Sequence, residues 1–262
     1  MEIGTCKYCR KPDKELAESH LVPAAIYDLC EVDGEFVKIT EKSVGFTGRH
    51  LKHPLLCEPC DGSLSTDGED YSIPLLADEK GNFPLYDLLV KVAPDCAEDD
   101  FAAYAVARNP EISVEKITHF ALGVFWKASV HSWRKGETAN WIELGPYSEE
   151  IRKFLRGEGA FPKYVALTVG IIPKPVRQIS FCLPYRGSKD TCHYYMFYVP
   201  GIAFALSVGK GLGDAKQNCF YSNPLHPVVT TALAGDVKAV MQHVTKKAHF
   251  SNRVIEEAKL RR

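Results

Sequence analysis

The chain has 262 residues, of which 45% are hydrophobic and 25% charged, and a formal net charge of −1. This balance excludes an intrinsically disordered chain, and the length suits a small metal-held unit set on a larger body better than one metal module. No charged-then-apolar leader and no apolar run long enough for a bilayer is read, so a cytoplasmic protein is expected.

The charge is unevenly spread. Residues 1–75 carry eight Lys or Arg against fourteen Asp or Glu, leaving 24 against 19 in the remainder. A nucleic-acid module ordinarily advertises a basic surface, because phosphate neutralisation supplies most nonspecific affinity. Here the first third is acidic, and positive surface has to come from later residues such as Lys246, Lys247, Arg253, Lys259, Arg261 and Arg262. A solvated helix end is the plainer account of that run.

In chain order, Cys6-x-x-Cys9 forms a first knuckle, and Lys14 to Leu21 reads as a strand or turn ending in Ser19-His20-Leu21-Val22-Pro23. Pro23 opens a short helix through Leu29, as proline suits the first helical turn. Glu35 to Thr40 alternates polar and apolar, which predicts a half-exposed strand. His53-Pro54-Leu55-Leu56 leads into the second knuckle, Cys57-x-x-Cys60, and Asp61 to Tyr71 predicts a helix interrupted by Gly62 and Gly68. A domain boundary is expected near residues 72–82, separating a unit over 1–72 from one over 83–262.

The body opens with the apolar segment Leu85 to Val90. Ser113 is a suitable N-cap for the clearest helix, in which Ile117, Phe120, Ala121, Val124, Phe125 and Ala128 share one face, running to about Trp133. A shorter helix starts at Ser148, buries Ile151, Phe154 and Leu155, and stops at Gly157. Strands are predicted over Tyr164–Ile172, Gln178–Leu183 and Tyr194–Val208, with a break at Pro200-Gly201; their composition predicts an antiparallel sheet carrying the two helices. In His193 to Tyr198, alternation predicts that about half the side chains are buried. Gly209 to Asp214 lacks phosphate-loop spacing and reads as a connection between sheet and helix. Trp126, Trp133 and Trp141 are assigned to packing. The fold class expected is α+β: an N-terminal zinc unit followed by a larger α+β domain with an antiparallel sheet and packed helices.

The two cysteine pairs carry the strongest chemical signal. Two C-x-x-C turns supply four soft sulfur ligands of the kind tetrahedral structural zinc prefers, and Cys6, Cys9, Cys57 and Cys60 are the expected ligands. Nine cysteines are present. Cys30, Cys96, Cys182, Cys192 and Cys219 read as buried thiols.

The order Cys6, Cys9, His20, Pro23, Leu55, Leu56, Cys57 and Cys60 resembles the zinc-braced branch of the HNH, or ββα-metal, nucleases. More narrowly, Ser-His-x-x-Pro upstream of Leu-Leu-Cys-x-x-Cys is similar to bacterial HNH-like proteins with a long C-terminal domain, some of them linked to phage defence. The resemblance covers residues 1–72. It implies a treble-clef zinc unit, hydrolysis of DNA phosphodiesters with His20 as general base, and one catalytic divalent ion, magnesium or manganese. DNA is the implied partner and RNA the alternative, with a protein partner reached through the C-terminal domain and no membrane.

The chain departs from that pattern at four positions. Ser19 stands where Asp or His commonly precedes the histidine; Lys52 stands at the middle asparagine, with His53 adjacent and His50 upstream; Asp61 replaces the last histidine, and Ser65 lies one helical turn on. His20, His53 and Asp61 are therefore the candidate catalytic residues, with Glu69 or Asp70 as carboxylates that could join Asp61 on a cation. Each has a plain alternative: His20 as a structural hydrogen-bonding group, His53 as a packing residue, Asp61 as a helix cap. Three classes remain open: a metal-dependent endonuclease, a noncatalytic zinc module that binds nucleic acid or protein, and an interaction protein in which the zinc unit is purely structural.

Overall fold

A computed structural model describes residues 2–31, 36–39, 43–78, 80–98, 101–133, 142–172, 181–187, 191–230 and 249–250. Trp141 and the basic residues from Lys246 onward fall outside these. The described part is mixed α/β, with antiparallel and mixed sheets and several helices.

The N-terminal third holds β1 (Glu2–Gly4), β2 (Lys14–His20), α1 (Ala24–Leu29), β3 (Phe36–Ile39), β4 (Ser43–Thr47), β5 (Lys52–Cys57) and α2 (Glu58–Leu64). Strands β1, β2 and β5 form one antiparallel sheet. The helix after Cys57 is not broken at its glycines. It passes from α2 through a π-turn over Ser65–Glu69 into α3 (Asp70–Ser72). A widened turn accommodates an extra residue without ending the helix, and such turns recur where a helix must re-aim a face.

The body begins with α4 (Pro84–Leu89), β6 (Cys96–Glu98), β7 (Phe101–Ala105) and α5 (Val114–Val130). It continues with α6 (Tyr147–Leu155), β8 (Val165–Ile171), β9 (Cys182–Arg186), β10 (His193–Val199), β11 (Ile202–Val208), α7 (Asp214–Gln217), β12 (Pro227–Thr230) and β13 (His249–Phe250). A seven-stranded sheet runs in the order β6-β7-β12-β8-β11-β10-β9, and β13, β4 and β3 make a second three-stranded sheet.

The expected break at Pro200-Gly201 is the hairpin turn between β10 and β11, with Gly201 at φ +84. The large sheet is mixed where a purely antiparallel one was expected, because β12 runs parallel to β8. The cause is connectivity. Strand β11 is antiparallel to β8 and ends at the end where β8 begins. The segment after it is pinned to β8 by Phe220 N–H donating to the Leu167 carbonyl at 2.7 Å, so β12 starts from that same end.

Other expectations need correcting in degree. In β10 only His193 is exposed and Tyr194 through Val199 are all buried, because both faces of the sheet are covered there. Phe197 packs with Phe120 and Phe125 of α5, whereas Tyr194, Met196 and Tyr198 join a second apolar cluster on the opposite face. Helix α5 begins as expected, with Lys116 N–H donating to Ser113 Oγ at 3.3 Å. It buries nearly its whole circumference, however, including Leu122, Trp126 and Lys127. It stops at Val130, and Trp133 folds back so that its indole N–H donates to the Lys127 carbonyl at 2.9 Å. Of the predicted run over 178–183, residues 178–180 lie outside the described residues, and β9 covers Cys182–Arg186. Cys96 is exposed and Cys192 half-buried; Cys30, Cys182 and Cys219 are buried as expected.

One contact explains how the N-terminal helix meets α5. A Cβ placed on Gly68 would sit 2.6 Å from the Phe120 backbone nitrogen, so only glycine lets the π-turn approach α5 this closely. Gly62, by contrast, faces open space. Gly68→Ala is therefore expected to destabilise the chain by about 1–3 kcal/mol through overpacking. Gly62→Ala should stabilise it by about 0.5–1 kcal/mol through helix propensity. Denaturant unfolding of the two variants checks the contrast, and equal midpoints would contradict this packing.

Candidate metal centre and histidine site

The first knuckle is a tight turn closed by Arg10 N–H donating to the Cys6 carbonyl at 2.9 Å and Cys6 N–H donating to the Lys11 carbonyl at 3.1 Å. Arg10 and Asp13 hold left-handed backbone at φ 63 and 52, a conformation that costs a residue with a Cβ about 1–2 kcal/mol. Lys7 N–H donates to the Leu55 carbonyl at 3.2 Å, which lays this knuckle against β5. The second knuckle begins at Cys57, which ends β5 and is the N-cap of α2. Its sequence position thus fixes both the strand's end and the helix's start.

These two turns bring one ligand atom each from Cys6, Cys9, Cys57 and Cys60 within 4.8 Å of one another. The Cys9 and Cys57 sulfurs are 3.9 Å apart. Four sulfurs at bonding distance from a tetrahedral zinc are spaced by about 3.8 Å, whereas a disulfide brings two to about 2 Å. The site therefore fits a metal ion such as zinc. Cys57 N–H also donates to the Cys6 sulfur at 3.4 Å, which ties the two knuckles together. Burial raises the Cys57 and Cys60 thiols above their usual range. At Cys9, burial pushes the same way, but the Lys11 amide and the neighbouring thiols bring the group down to about 7. A buried set of this kind is stable as thiolates with a cation among them, and without one it pays for burial as protonated sulfur.

Two arginines of α6 reach this centre. Arg152, itself buried, donates from Nη1 to the Tyr8 carbonyl at 2.6 Å, between the two cysteines of the first knuckle. Arg156 lies over the Tyr8 ring at 5.2 Å from its centroid, with Nη1 4.0 Å from the Cys60 sulfur. Positive charge beside four thiolates offsets the excess negative charge of a four-sulfur zinc site.

His20, His50, His53 and His131 separate into two pairs. In the β2–β5 ladder His20 is opposite Lys52 and Ser19 is opposite His53. Side chains of successive strand residues point to opposite faces, so His20 and His53 diverge. His20 is half-buried and its Nε2 lies 3.4 Å from His50 Nδ1. His50 in turn stacks on Tyr27 with ring centroids 4.3 Å apart and planes 13° from parallel. Tyr27 is buried and accepts the Leu51 N–H at its hydroxyl, 3.3 Å away. His53 instead stacks on His131, just past the end of α5, at 3.8 Å between centroids.

Burial lowers the pKa of His20 below its ordinary 6.5, and His50, Lys127 and Lys52 push in the same direction, against Asp61. His20 is thus neutral at pH 7. Asp61, on the first turns of α2, is half-buried and acts on His20 through its charge. Glu69 does not join Asp61. It lies 3.2 Å from Lys127 Nζ, and its second oxygen accepts from Ser65 Oγ at 3.2 Å. Ser19 is fully buried with no hydrogen-bond partner among the described residues, so it is closed to an ion arriving from solvent.

No protein-family model matches this sequence, and no curated protein or solved structure matches it either. What stands is the four-cysteine cluster at one end of the β2–β5 ladder and the histidine pair at the other. Within that pair His50 is the residue that sequence reasoning passed over. Its signal was parity: two residues before Lys52, it shares the face of Lys52 and His20 once β2 and β5 are paired in this register. Lys127 carried no such signal, since a lysine within an apolar helical run reads as a solvent-facing residue.

Two outcomes test this geometry. Cys57→Ser should abolish the binding of one metal ion per chain, measured by elemental analysis of the purified protein, and unfold the first third, because structural zinc contributes on the order of 10 kcal/mol or more to such sites. Retention of both metal and fold would contradict the four-sulfur centre. Breaking the Glu69–Lys127 pair by Glu69→Ala strands a side chain that is only 3% exposed and should cost about 3–5 kcal/mol. Glu69→Gln combined with Lys127→Met should cost far less in the same unfolding measurement.

Proposed function

We propose that this chain is an HNH-like, metal-dependent endonuclease that hydrolyses DNA phosphodiesters, with Zn²⁺ on the four cysteines of a treble-clef unit and His20 as general base. The supporting observation is the state of His20: neutral at pH 7, half-buried at the end of β2, and held by His50. A positioned neutral imidazole is the group that accepts a proton from attacking water near pH 7.

With its Nε2 turned to His50 Nδ1, His20 has Nδ1 as the nitrogen available to take the water proton. Tyr27 holds the His50 ring flat, so the donor–acceptor axis of the pair is fixed. Asp61 favours the protonated form of His20 that follows the transfer. In this reading Asp61 is also the carboxylate that would hold a hard divalent ion. That ion, Mg²⁺ in this reading, supplies charge neutralisation at the scissile phosphate and the leaving oxygen. The body, carrying the net positive share of the charge, is the part suited to meet nucleic acid; a role in phage defence belongs to the same proposal.

A second reading has a specific observation behind it. Ser19 is sealed in the interior, and Glu69 is committed to Lys127, so two positions that could have completed an ion site do not serve it. A noncatalytic zinc module that binds nucleic acid or a protein partner follows from that loss.

His20→Ala separates the two. Under the nuclease reading this variant loses Mg²⁺-dependent nicking of supercoiled plasmid by at least 100-fold, on the scale of general-base catalysis, with metal content and fold intact. The pH profile carries a second sign. A base whose pKa lies below 6.5 remains active through neutral pH, and the rate falls only as acid protonates it, with an apparent midpoint under 6.5. Wild-type chain that cuts neither DNA nor RNA, or a His20→Ala variant that cuts at the native rate, would move the assignment to the binding module.

A further inference from the structure

We propose that Asp28, Glu31 and His50 form a second divalent-cation site, separate from the cysteine cluster and suited to a first-row transition ion. Asp28 lies in the last turn of α1, Glu31 follows that helix, and His50 arrives from the segment preceding β5. One ligand atom from each lies within 4.8 Å of the other two. Two carboxylates and an imidazole favour Mn²⁺ or Zn²⁺ over Mg²⁺, which prefers an all-oxygen octahedron.

Two further features mark these residues as a built set. The first is the preparation of His50. Its ring is stacked on the buried Tyr27, and its Nδ1 faces His20 at 3.4 Å, which leaves Nε2 for an ion. A ligand imidazole commonly has its second nitrogen in a hydrogen bond, which orients the ring. The second is the placement of two carboxylates on one turn. Glu31 N–H donates to the Asp28 carbonyl at 3.3 Å, folding the two acidic residues onto one turn, and among the described residues neither carboxylate has an ion pair. Both are exposed, so water fills the remaining coordination positions.

The probe is Mn²⁺ alone, added to the full chain with zinc already on the cysteines. Electron paramagnetic resonance of free Mn²⁺ should show a saturable site, and the paramagnetic ion should broaden the ring protons of His20 and His50 before those of His53 and His131. Asp28→Asn with Glu31→Gln should weaken this binding at least tenfold with zinc content unchanged. Equal affinity in that double variant, broadening centred elsewhere, or no saturation would overturn the site. A chain that binds Mn²⁺ here and never nicks refutes the nuclease reading alone, whereas nicking without a saturable Mn²⁺ site refutes the site alone.

Discussion

The register between β2 and β5 is the constraint on which the rest of the first third depends. Leu16 is paired with Cys57 at one end of this ladder and His20 with Lys52 at the other, with one extra residue of β5 absorbed near Ala17 and Glu18. At the Cys57 end the ladder presents a sulfur to the first knuckle and then turns into α2. At the His20 end it sets the imidazole beside the segment carrying His50. A shift by one residue would exchange the faces of all these side chains. The four sulfurs oppose such a shift, because Cys6 and Cys9 meet Cys57 and Cys60 in this register alone. Metal chemistry and histidine geometry are thus two ends of one strand pairing.

The knuckles are also tied to the body by contacts of different physical kinds. The buried Arg152 guanidinium closes on the Tyr8 carbonyl and is itself held by Glu149, whose carboxyl is brought down to about 2 chiefly by that arginine. Tyr8 packs edge-on against Trp126 at 5.3 Å. The π-turn at Gly68 touches the backbone of α5, and Lys127 of α5 reaches back to Glu69. The apolar core accordingly continues without interruption from Cys6 and Leu21 through Leu64 and Phe120 to Phe204. This continuity accounts for the placement of a lysine inside α5: its ammonium charge is paired with the helix that follows the second knuckle, at the junction of the two parts.

Much of this was legible in the residues, and the failures have physical causes. Ser113 announced α5, Gly157 at φ +67 ended α6, and Pro200-Gly201 split the β10–β11 hairpin, because caps and turns are local chemistry. Periodicity misjudged α5 and β10 in the same manner: each is covered on more faces than one, and burial on every side erases the polar stripe that periodicity detects. The glycines near Ser65 looked like helix breakers, yet one of them is there for close approach, a property of the partner helix and not of the local sequence. The cysteine cluster was fully legible because C-x-x-C fixes its own geometry. The histidines were not, because their roles depend on a ladder register that no short motif encodes.

That register also decides between histidines of similar appearance. His53 sits next to Pro54 just before the second knuckle and seems better placed by sequence than His50, yet it faces α5. There it stacks on His131, whose pKa is lowered first by burial and then by His53 and Lys7. The two rings in parallel contact, with Lys7 nearby, form a packing contact between the knuckle strand and the end of α5. His20 and His50 meet edge-on instead, nitrogen to nitrogen, with Asp61 acting through its charge and Asp28 and Glu31 beyond. Ring stacking spends the imidazole faces and favours neutrality; a nitrogen-to-nitrogen contact makes the proton position of one ring depend on the other. Of the two pairs, only the second couples the proton position of one ring to the other, and it lies on the face of β2 that presents His20.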